Sequence, residues 1–104
     1  MAITNSQIGN TETTILTATA ETAVLNLIMC NTTASTRTVT VYAYASGGSA
    51  GDSTTIIKDY EIAPYDTFIW AGSEKFILDT SGVISAVADT AASVTLTATY
   101  KVLG

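Results

Sequence analysis

The chain contains no histidine, which removes the commonest general base and the commonest metal ligand before any spacing is considered. A serine, or Cys30, acting as a nucleophile would lack its usual partner. The groups left for chemistry are nine carboxylates, one cysteine, a glycine-rich stretch and a few aromatics. Asp59 and Glu61 stand two apart, which puts both on one face of a strand. Paired acids can perform acid–base work on sugars, but at this spacing they read as a solvated strand face. Asp66, Asp79 and Asp89 fall near turns, where aspartates can hold calcium, yet no EF-hand spacing is present.

The stretch "SGGSAGDSTT", residues 46–55, has the look of a phosphate cradle. A P-loop needs a lysine after its last glycine, and here Gly51 is followed by Asp52. The stretch also precedes a β-type run rather than a helix whose N-terminus would help hold an anion. It reads as a hairpin loop, with glycines at 47, 48 and 51 free to take positive φ. Cys30 sits in an apolar run and reads as a small buried hydrophobe, with no second cysteine to pair with. "NTT" at Asn31 matches a glycosylation acceptor. The opening "MAITNSQIGN" has neither the basic nor the apolar region of a secretory signal, so the product reads as soluble and cytoplasmic and the "NTT" at Asn31 as just a turn. No catalytic residue, cofactor or metal is expected, and the chain does not read as an enzyme. The remaining candidates are aromatic: Tyr42, Tyr44 and Trp70, whose polar-tipped rings suit a partner interface or stacking on sugars.

The elements that position these residues are strands. Only 12% of the 104 residues are charged while 47% are hydrophobic, and recurring threonine takes the place of charge at the surface, a residue suited to a pleated, half-exposed sheet. "TVTVYAYA" (38–45) puts Val39, Val41, Ala43 and Ala45 on one face and Thr38, Thr40, Tyr42 and Tyr44 on the other, the latter with no carboxylate of its own. "SVTLTATYKV" (93–102) alternates in the same way, with Leu96 inward. "AVLNLIMCN" (23–31) is almost continuously apolar and reads as a central strand covered on both sides. Shorter candidates are 13–17, 54–62, 66–71, 75–78 and 83–88, separated by turn signals that include 72–73, and residues 89–92 read as a tight turn between the last two strands. Eight short strands of this spacing predict a single all-β domain over residues 1–104, an antiparallel β-sandwich of jelly-roll or immunoglobulin-like type. The net charge of −5, with four scattered cations, argues against nucleic acid. No apolar run approaches the length of a membrane helix.

Taken in order, "ITNSQIGNTETTIL", "CNTTASTRTVTVYAYASGGSAGDSTTII", "EKFIL" and "SAVADTAASVTLTATY" resemble the small virion structural proteins of tailed bacteriophages, those of marine and cyanobacterial phages most of all. The resemblance covers nearly the full chain and includes no catalytic motif; family members often carry a proline before the glycine loop, where this chain has "YAYASGG". It implies a non-enzymatic β-sandwich that assembles on the particle. Among virion roles it favours a capsid decoration (cement) protein on the outside of the head shell, made in the host cytoplasm and closed as a homotrimer against itself and the major capsid protein. Tyr42 or Tyr44 is then expected in the contact. The alternatives are a tail, neck or fibre component, or a receptor- or glycan-binding tip that uses Tyr42, Tyr44 and Trp70 for stacking.

Overall fold

A computed structural model describes residues 2–70 and 76–103. The strands are β1 (Ala2–Ile8), β2 (Thr13–Thr17), β3 (Thr22–Asn31), β4 (Arg37–Tyr44), β5 (Thr55–Ile62), β6 (Thr67–Trp70), β7 (Phe76–Leu78), β8 (Val83–Ala88) and β9 (Val94–Val102), with one 3-10 turn at Asp52–Thr54. The sequence reading placed these strands to within a residue or two and omitted β1. The end of the 66–71 strand, the expected turn at 72–73 and the start of the 75–78 strand lie outside the described residues.

All pairings are antiparallel. One sheet runs β1-β9-β3-β6, with β7 beside β6 along the same edge of β3; the other runs β2-β8-β4-β5. With β6 and β7 sharing one edge slot, the order is that of a jelly roll, and the immunoglobulin alternative is set aside. The chain crosses between the sheets at most connections, so β1 and β9, at opposite ends of the sequence, pair along their length from Ala2↔Tyr100 to Ile8↔Val94.

The core follows from alternation. Val94, Leu96 and Ala98 of β9 meet Leu27 and Met29 of β3 on the inner face, opposite Val39 and Val41 of β4 and Ile84 of β8, all with no solvent contact. Burial of such a side chain is worth about 1.5–3 kcal/mol. At one open side, Tyr60 of β5 and Phe68 of β6 close the gap between the sheets with ring centroids 4.1 Å apart. The apolar run in β3 is fully covered on its inner face and only in part on its outer face, where Ala23 is buried. Ile28 and Cys30 point to the outer face and are half-buried, while a bulge between Val24 and Asn26 accommodates Leu25.

Asn31, the last residue of β3, is fully buried and is the polar bolt of this end of the sandwich. Its Nδ2 donates to the carbonyl oxygens of Ser35 (2.7 Å), Ile62 (2.9 Å) and, at greater length, Ala63 (3.2 Å). Its Oδ1 accepts from the Thr33 backbone N–H (2.9 Å) and from Thr33 Oγ1 (2.8 Å). The "NTT" segment is therefore more than a turn: it ties the β3–β4 loop to the β5–β6 connection. The glycine-rich loop is the β4–β5 hairpin connection, as read. Of its glycines only Gly47 takes positive φ (83°). Gly48 is there for closeness, since a Cβ would come within 3.0 Å of the Ala45 carbonyl oxygen.

Candidate functional site

Tyr42 and Tyr44 lie on the outer face of the β2-β8-β4-β5 sheet, half-buried, in line with Thr38 and the buried Thr40. Strand β4 contributes no carboxylate to this face, but neighbouring segments do. Glu12, on the β1–β2 connection, places Oε2 against Tyr44, whose hydroxyl donates at 2.6 Å, and against Ser85, whose Oγ donates at 2.7 Å. Thr40 Oγ1 donates to Asp59 Oδ1 and accepts from the Asp59 N–H, both at 3.0 Å, which pins a β-bulge where Asp59 takes φ 45°. Glu61 stands opposite Thr38. These carboxylates come from positions 12, 59 and 61, remote from 38–44 in sequence, and only strand register collects them on one face. The Tyr44 hydrogen bond, with help from Ser85 and against a small burial cost, holds the Glu12 carboxyl below its ordinary value. The same bond, together with burial, raises the Tyr44 hydroxyl above its own. Glu12, Tyr44 and Ser85 form one hydroxyl–carboxylate network on this face, and Thr40 and Asp59 a second.

Trp70 sits elsewhere, on the inner side of edge strand β6 opposite Leu27, half-buried against the core. Trp70 and Tyr44 both line a groove of about 380 Å³ at the margin of the sandwich, with Ile56, Ile77, Leu78 and Asp79. Tyr42 is not among the groove's lining residues. The structure thus brings two of the three candidate aromatics to one concavity and leaves the third on a sheet face. Asp66, Asp79 and Asp89 occupy separate turns, and among the described residues no three cysteine or carboxylate groups converge as metal ligands.

The surface with the most distinctive chemistry is the outer face of the other sheet. Register lines up Gln7, Thr95, Cys30 and Thr67 in one row, Asn5, Thr97, Ile28 and Ile69 in the next, and Ile3, Thr99 and Asn26 beyond it. A last row holds Lys101, Ala23 and Ile77. Among the described strand positions of this face none is a carboxylate, and Lys101 is the one charge. Ile3, Ile69 and Ile77 are 67%, 58% and 56% exposed on it. In a chain of net charge −5 this is a broad, uncharged patch of threonine, amide and isoleucine. Sequence reading missed it because each strand contributes only every second residue, and the patch exists only once four strands are in register.

The chain matches no family model, no curated protein and no solved structure.

Proposed function

We propose that this chain is a non-enzymatic structural protein of a bacteriophage virion, a decoration (cement) protein that seats on the head shell through the outer face of the β1-β9-β3-β6 sheet. The observation that carries the reading is that face. It is large and nearly uncharged, it exposes three isoleucines, and it lies on an otherwise acidic molecule. Threonine and amide side chains lose little on leaving water when they meet backbone donors and acceptors of a neighbour, whereas carboxylates lose much. The sequence resemblance to virion proteins of tailed phages points the same way. The jelly roll is also an architecture that capsid and lectin domains use, although a fold alone assigns no function. A threefold ring closed through Tyr42 and Tyr44 would also have to take Glu12, Asp59 and Glu61 into or beside its contact.

The test is rebinding of purified chain to shells stripped of it. Thr97 lies mid-face between Asn5 and Ile28, so Thr97→Glu puts a charge at the centre of the contact without entering the core. Wild type should rebind and Thr97→Glu should bind at least about tenfold more weakly, the ~1.4 kcal/mol of an unpaired charge at a contact. Equal binding would overturn the assignment of this face. A glycan-binding tip is the second reading, favoured by the groove that Trp70, Tyr44 and Asp79 line together. Trp70 is the chain's single tryptophan, so sugar titrations that move its fluorescence would support that reading.

A further inference from the structure

Each sheet of an open sandwich ends in two edge strands, and a folded chain must keep those edges from pairing indiscriminately. Three of the four edge positions here are guarded. Strand β5 is bulged at Asp59 and carries Lys58, Asp59 and Glu61. Strand β2 has five residues and a register shift between Thr14 and Leu16. The β6/β7 edge is divided into pieces of four and three residues. Strand β1 has none of these devices. It pairs with β9 over seven residues without a register shift, and its sequence, "AITNSQI", contains no charge, proline or glycine. Its exposed side shows Ile3, Asn5 and Gln7, and the neighbouring β9 row is Thr95, Thr97 and Thr99.

We propose that β1 pairs antiparallel with β1 of a second copy across a two-fold axis, joining the two β1-β9-β3-β6 sheets into one continuous sheet. Antiparallel pairing makes a strand complementary to itself under a two-fold, so this edge needs no second kind of surface. Charge selects the same contact. Two molecules of net charge −5 repel, and approach over the β2-β8-β4-β5 face sets Glu12, Asp59 and Glu61 against their counterparts. Approach along β1 opposes no carboxylate of the strand or of its β9 neighbour. In the register of greatest overlap, Asn5 faces Asn5 of the second copy and Ile3 faces Gln7. The dimer also doubles the uncharged face, yet it stands independently of the shell-docking reading, because its test uses the free protein.

Light scattering and sedimentation on the purified chain at about 100 µM, a concentration suited to an interface at the small end of the specific range, should give twice the chain mass. Asn5→Lys sets two lysines opposite one another, and like charges in directly opposed positions oppose pairing. It should weaken the dimer at least about tenfold while the β-type circular dichroism spectrum is unchanged. Asn5→Glu, which sets two carboxylates opposite one another at the same position, serves if Asn5→Lys does not fold. Amide exchange on the wild type gives a second readout: the β1 amides that point away from β9 should be slowed in the dimer. A monomer at this concentration, a trimer, a dimer indifferent to charge at position 5, or outward β1 amides exchanging as freely exposed ones would each overturn the proposal.

Discussion

Replacing Asn31 tests the polar bolt at the end of the sandwich. Asn31→Ala removes two donor bonds, since the amide has two hydrogens to share among the carbonyls of Ser35, Ile62 and Ala63, and two acceptor bonds from Thr33. At about 1 kcal/mol net for each of four bonds the loss is ~4 kcal/mol, a large part of the ~5–15 kcal/mol that holds a domain folded. Asn31→Asp keeps the shape and the Thr33 donors but should be worse at neutral pH, because it turns an oxygen toward three carbonyl oxygens and buries a charge with no cation beside it. Burial and the carbonyl oxygens facing the new oxygen outweigh the two Thr33 donors kept by the other, and raise the introduced carboxyl's folded value above its unfolded one. Its penalty is therefore relieved as pH falls through the raised value, and the gap to wild type narrows in acid. Urea unfolding at neutral and mildly acidic pH measures both effects. The reasoning is refuted if Asn31→Ala loses less than ~1 kcal/mol, or if Asn31→Asp matches wild type at neutral pH.

Leu96 is fully buried, so Leu96→Ala should lose ~2–5 kcal/mol by denaturant unfolding; a loss below ~0.5 would mean the inward face of β9 is misassigned. The Glu12–Tyr44 pair predicts two pH limbs. Glu12 is lowered in the folded state, so its contribution is present above its ordinary value near 4.5 and is lost as pH falls through the lower folded one. Tyr44 is raised, so its contribution is present below its ordinary value near 10.0 and is lost as pH rises through the higher folded one. Tyr44→Phe should return the Glu12 carboxyl toward its ordinary titration by carboxyl NMR, and an unmoved titration would contradict the 2.6 Å bond. Gly47→Ala, at φ 83°, should cost ~1 kcal/mol, whereas Gly51→Ala, extended and in open space, should be silent; equal thermal shifts for the two would contradict the loop geometry.

The strands with strict alternation were legible from sequence. In β4 and β9 the inward positions are apolar and the outward ones threonine or tyrosine, so period-2 reading located both their bounds and their faces. Strand β1 was missed because its pattern is inverted: Thr4 and Ser6 turn toward the sandwich while Ile3 points out, and the pairing with β9 supplies what hydrophobic alternation does not. In β3 a continuous apolar run suggested cover on both faces, when its second face is only half-buried. The candidate aromatics were legible as residues and not as a site. Tyr44 is bound to a carboxylate 32 positions away, and Trp70 belongs to the rim of the core. The uncharged face had no signal in any single segment, because its rows run across strands from both ends of the chain.

The central claim is that this chain decorates a head shell, and its copy number in purified virions relative to the major capsid protein tests that most directly. Quantitative mass spectrometry of intact particles should find the two chains in copy numbers of the same order. A handful of copies per particle would place the chain in the tail or neck, and its absence from particles would contradict the virion assignment.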